Sequence, residues 1–205
     1  VATFPGRGIF RGQGALVNLN GKAVNQASID LKVAQHIAFE LAPRTNDGNT
    51  GYPTSLMGSM ALIRQAFYDA QWQAKKEQAY QSHPDKRERP VENAALSNLQ
   101  PLIENKQFAL FQAWDELDYR RIENIANEFS IDFAILGNGY EYRRSNILKE
   151  TGATVILPLA FPKTPHVERV DASLDLSLEQ LQHWEFAPSN AAFLAQQGIP
   201  ICLTS

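Results

Sequence analysis

An α/β fold of mainly parallel strands, with a β-hairpin excursion near the N-terminus, is what this sequence predicts, on three observations. FALFQA (108–113), DFAIL (132–136), TVILPL (154–159) and IPICLT (199–204) are short runs rich in Val, Ile, Leu and Phe. The first three begin at residues 108, 132 and 154, about the spacing of one strand, one helix and two tight loops. The runs are continuously apolar rather than alternating, which suits parallel strands buried on both faces. In such a βα repeat, chemistry belongs on the loops leaving the C-terminal ends of the strands.

The totals fit one domain spanning residues 1–205. A chain of 205 residues can bury a sizeable core, and 44% hydrophobic with 20% charged residues argues against disorder. A formal charge of −3 gives no general attraction to nucleic acid, and none is expected as a partner. No apolar stretch approaches the ~20 residues of a membrane span. The one cysteine, Cys202, excludes an internal disulfide and, lying in an apolar run, is read as core rather than nucleophile. Val1 opens in a strand-like run and Ser205 directly follows another, so the sequence is expected to be an internal piece of a longer chain.

In chain order, VATF (1–4) reads as the tail of a strand, followed by the glycine-rich PGRGIFRGQG (5–14). Glycines so spaced cradle phosphate when a helix N-terminus follows. Here Asn20-Gly21 instead signals a two-residue hairpin, so the segment is read as a glycine-permitted loop and hairpin. Residues 27–41 read as a strand containing His36, expected to be a packed core histidine, and 42–53 as a polar loop. The clearest helix starts after a Thr54 or Ser55 cap; Leu56, Met60, Ile63, Phe67, Ala70 and Ala74 make one apolar stripe, running on to about Tyr80. Residues 82–90 form a solvated charge run, and 92–106 a poorer helix bent near Pro101.

The repeat then begins. Strand 108–113 precedes helix 114–129, in which Tyr119, Ile122, Ile125, Ala126 and Phe129 share a face. Strand 132–136 leads through GNGYEYRR (137–144) to a short helix closed by Gly152, and strand 154–159 leads into the proline-rich loop 160–173. Ser177 with Gln180 forms a capping box for the next helix, Pro188 starts another, Gly198 ends it, and 199–204 is the last strand.

Polar residues cluster at the strand exits. Gln112, Asn138, Tyr140, Lys163 and His166 are candidates to line a substrate pocket. Asp115 and Glu141 are candidates for a general acid/base pair, but each also reads as a first-turn helix acid favoured by the macrodipole. The four histidines, His36, His83, His166 and His183, form no His-x-His and no pair one helical turn apart, so no metal site is expected from this chain alone. HWEFAPSN (183–190) stands out and is read as a helix–helix corner with Trp184 packed inward.

GYPTSLMGSMALIRQAFYDAQWQ (51–73), ILGNGYEYRRSNILKETGATVILPLAFPK (135–163) and HWEFAPSNAAFLAQQGIPICLTS (183–205) resemble the middle of an imidazolonepropionase-like group within the metal-dependent amidohydrolase superfamily. That resemblance implies a partial TIM-like (β/α) barrel, an internal fragment of a longer (β/α)8 hydrolase acting on small molecules with non-peptide amide or cyclic amide C–N bonds. It also implies a zinc-like divalent metal for the full-length family, activating water. The family's His-x-His would fall before Val1 and its late Asp after Ser205. GNGYE (137–141) stands where many members carry a metal-binding His, so no metal ligand carries over. The isolated chain is therefore expected to hold no metal and to be inactive. A non-enzymatic small-ligand-binding or assembly domain is the alternative. A severed barrel is also expected to form homo-oligomers through exposed strand edges.

Overall fold

A computed structural model describes residues 6–43, 51–165, 167 and 174–204. Strand 1–4, most of loop 42–53, and His166 with much of the proline-rich loop lie outside the described residues. The fold class is the one expected: mixed α/β, a six-stranded sheet in the order β1-β2-β3-β4-β5-β6, mostly parallel, opened by an antiparallel hairpin. The chain divides into two compact units, Val1–Phe111 with Asn124–Phe133, and Gln112–Glu123 with Ala134–Ser205.

In the first unit, β1 (Phe10–Val17) pairs with β2 (Ser28–Ala38), and the short helix α1 (Val24–Ala27) lies in their connection. This corrects two expectations. Gly12 and Gly14 lie within a strand, opposite His36 and Ala34, and the turn is a ten-residue connection, 18–27. The glycines therefore form no phosphate cradle. Gly12, at φ +96°, accompanies a register shift, a conformation that glycine permits without Cβ strain. His36 is buried, as expected, and its pKa is lowered by burial and by Arg11.

α2 (Leu56–Ser82) starts where the Ser55 side chain accepts from Gly58 N–H at 3.2 Å. Its buried track is Ser59, Ile63, Phe67, Ala70 and Gln73, so Leu56, Met60 and Ala74 flank the buried line rather than forming it. Phe67 meets Phe10 and Phe129 edge-on at 5.7 and 5.0 Å. The predicted bent helix is instead two short ones, α3 (Ala94–Ser97) and α4 (Gln100–Ile103). Pro101 stands in the first turn of the second, where its missing N–H costs nothing.

β3 (Phe108–Gln112) and β4 (Phe133–Leu136) exchange bonds at a constant offset, Ala109 N–H to Asp132 O and Ala113 N–H to Leu136 O, which fixes a parallel register. α5 (Asp118–Phe129) buries Tyr119, Ile122, Ile125, Ala126 and Phe129, the predicted face. In the second unit β4, β5 (Thr154–Pro158) and β6 (Ile201–Thr204) are parallel. α6 (Ser145–Thr151) ends at Gly152, whose φ of +65° is the left-handed cap. α7 (Leu178–Phe186) has the full Ser177–Gln180 capping box, and α8 (Asn190–Gln196) follows a 3₁₀ turn containing Pro188.

Two burial expectations fail here. Trp184 is 44% exposed and α7 buries no residue, so the corner does not pack inward. Cys202 is exposed and Leu203 is 56% exposed. β6 is last in the strand order, so its apolar composition is not matched by cover among the described residues.

Candidate functional site

The exits of β3, β4 and β5 all lie in the second unit. After β3, Asp115 accepts from Leu117 N–H and Asp118 N–H at 2.7 and 2.9 Å, and Arg121 reaches it at 3.1 Å. The buried Asp118 carboxylate accepts from Trp114 N–H at 2.9 Å and from Arg121 at 2.8 Å. Asp115 thus satisfies N–H groups that open α5, Asp118 ties down the chain just before it, and negative charge at this end also suits the helix dipole.

β4 exits into the turn Gly137–Glu141, which folds back on its own carboxylate. Glu141 is fully buried. Its Oε1 accepts from Asn138 N–H at 2.6 Å and Gly139 N–H at 3.0 Å, and its Oε2 from Asn190 Nδ2 of α8 at 2.6 Å. A buried carboxylate is tolerable only with such donors. The fold also reserves the space: a Cβ on Gly137 would lie 2.1 Å from Glu141 Oε1. Asn138 completes the turn, its amide donating to Trp114 O at 2.7 Å while its Oδ1 accepts from Tyr140 N–H at 3.0 Å. Beside this network the buried Tyr119 hydroxyl and Asn190 Oδ1 find no partner among the described residues. Burial first, then the Glu141 charge, pushes the Tyr119 phenol well above its usual range.

Tyr140 leaves this turn and stacks on the His183 ring of α7, centroids 3.7 Å apart and planes 14° apart. The Arg143 guanidinium stands 4.4 Å from the Tyr140 ring centroid, a cation–π contact, and pairs with Glu179 at 3.1 Å. Tyr142 places its hydroxyl 3.4 Å from His183 Nδ1. Burial, then Arg143, lowers the His183 pKa, which favours the neutral imidazole. Tyr140 and His183 form one wall of a cavity of about 400 Å³ whose other walls include Pro162, Lys163, Asp175 and Gln180.

The structure thus brings Tyr140 and Lys163 to one cavity, with Asn138 and Glu141 in the turn that carries Tyr140. Gln112 ends β3, half-buried, and Asp115 is occupied at the start of α5. His166 lies outside the described residues. Sequence reasoning missed Gln180, Asp175 and Asn190 as site residues. It noticed His183 through the unusual HWEFAPSN string without placing it against Tyr140.

The implied divalent metal does not fit these residues. Among the described residues no three His, Cys, Asp or Glu side chains gather where they would hold an ion. Both Glu141 oxygens already accept from N–H groups, and no side chain fits at Gly137.

No family model matches the chain, and no curated protein matches it. Among solved structures, an amidohydrolase from Thermotoga maritima MSB8 is similar, with a TM-score of 0.71 at 21% identity. The match covers 95% of this chain and 47% of that one, so the chain spans about half the length of its neighbour. At this identity the likeness speaks for the fold, and the fold is amidohydrolase-like.

Proposed function

We propose that residues 1–205 are one α/β portion, internal to a longer chain, of a hydrolase in the imidazolonepropionase-like group that acts on non-peptide C–N bonds, amide or cyclic amide. The observation that carries this reading is the fold shared with an amidohydrolase over 95% of this chain but 47% of the neighbour. The exposed Leu203 and Cys202 on β6 support it, because a further strand and helix of a closing barrel would cover them. In this reading the chain supplies a substrate wall. Lys163 and Gln180 offer donors to the acceptor oxygen of an amide, and Tyr140 and His183 offer a flat surface beside it. Any divalent ion of the parent enzyme takes its ligands from elsewhere, and the isolated chain is inactive.

The test compares this chain with the full native gene product after dialysis, measuring metal content and hydrolysis of linear and cyclic amides against a peptide control. Turnover by the longer product alone is expected. A longer product that hydrolyses no amide, or stoichiometric zinc and turnover in residues 1–205, overturns the proposal. A second reading, a non-enzymatic small-ligand-binding domain, is favoured by one observation: among the described residues, those that line the cavity all belong to one unit of this chain. Ligand binding by a native product without turnover would select it.

A further inference from the structure

Tyr140 is followed directly by a carboxylate that faces the opposite way, into the protein, and this division of labour has functional content. We infer that Tyr140 and His183 are the groups that touch a ligand, and that Glu141, anchored by Asn190, is a positioning residue that holds their stack at the mouth of the cavity. The inference rests on reading that cavity as the ligand site.

The geometry excludes Glu141 from direct contact. It is fully buried, its two oxygens accept three N–H hydrogens, and it is absent from the cavity lining. What it controls is the path of the turn. The N–H groups of Asn138 and Gly139 converge on one oxygen, and the Gly139 φ of +93° turns the chain so that Tyr140 emerges against His183. A Cβ built on Gly139 would stand 3.8 Å from His183 Cε1, so a methyl added there would reach contact distance of the imidazole. Asn190 ties the same carboxylate to α8, 49 residues further along the chain. Three donors therefore form an anion cradle whose occupant is the chain's own side chain.

The test uses Glu141→Gln, the double variant Glu141→Gln/Asn190→Asp, and Glu141→Ala with and without acetate. The readouts are the NMR ring-current shift of the His183 protons, which reports stacking on Tyr140, and the His183 pKa. In Glu141→Gln the introduced amide can still accept from the turn, but it is neutral, and it meets the Asn190 amide donor to donor until that amide turns its Oδ1 inward, so the charge-assisted anchoring is lost. The stacking shift should shrink. The His183 pKa should fall, because the Glu141 charge raises it against the lowering by burial and Arg143, with Glu179 also raising it. The double variant reverses the bond, amide donating to carboxylate, and should recover most of the stacking shift. Acetate should recover part of it in Glu141→Ala. An unchanged stacking shift in Glu141→Ala, or a double variant no closer to the parent than the single one, overturns the inference. Loss of folding in all three variants also overturns it, since the network would then be a stability element. None of these readouts requires turnover, so they fail separately from the hydrolase reading.

Discussion

Gly137→Ala is the sharpest perturbation of the β4 exit. The added methyl would meet Glu141 Oε1 at 2.1 Å and Cδ at 2.8 Å, so the carboxylate must retreat by more than 1 Å. Its three hydrogen bonds are 2.6 to 3.0 Å long and do not survive such a displacement. Hydrogen bonds to a charged group contribute about 1.5–3 kcal/mol each, so losing even two of the three costs roughly 3–6 kcal/mol. For a chain of this size that lowers Tm by about 10 °C. Gly152→Ala is the control, with open space around its Cβ and only its φ of +65° to oppose it, at about 1 kcal/mol. Urea denaturation followed by circular dichroism measures both. Adding Glu141→Ala removes the obstacle, so the double variant should be less destabilised than the two single losses predict, with a coupling of about 2 kcal/mol. A Gly137→Ala loss below about 1 kcal/mol, or strict additivity, refutes the reasoning.

Three further outcomes follow from the same geometry. Tyr119→Phe removes a buried hydroxyl that lacks a partner among the described residues, so stability should stay level or rise by up to about 1 kcal/mol; a loss larger than that in urea denaturation contradicts the assignment. His36 and His183 both have pKa values lowered chiefly by burial, so between the folded value and the ordinary 6.5 the unfolded chain binds more protons. Stability is therefore retained above pH 6.5 and declines as the pH falls through that window; His183→Gln should show a smaller drop between pH 7.5 and 5.5, and an equal drop counts against it. Exposed β6 should drive homo-dimers at high concentration, weakened by Leu203→Lys; light scattering showing a clean monomer throughout opposes this.

Much of the architecture was legible because it is local or periodic. The runs at 108–113, 132–136 and 154–159 mark β3, β4 and β5, and Ser55 and the Ser177–Gln180 box cap the helices they were expected to cap. What escaped depends on neighbours distant in sequence. An apolar run gives the same signal whether or not its strand is covered, so the exposure of Cys202 and Leu203 was invisible. Glycine spacing alone did not reveal that Gly12 and Gly14 find partners in β2. Glu141 was legible as an acid at a strand exit and His183 as part of the unusual HWEFAPSN string, but nothing local shows what either one touches. Their roles arise from Asn190, 49 residues after Glu141, and from the Tyr140 ring 43 positions before His183.

The location of the ligand wall is tested most directly by NMR chemical-shift mapping with acetamide and 2-pyrrolidone, one linear and one cyclic amide. Saturable shifts centred on Tyr140, Lys163, Gln180 and His183 are predicted. Shifts centred instead on the larger cavity lined by Leu41, Tyr52 and Leu62 would contradict the account.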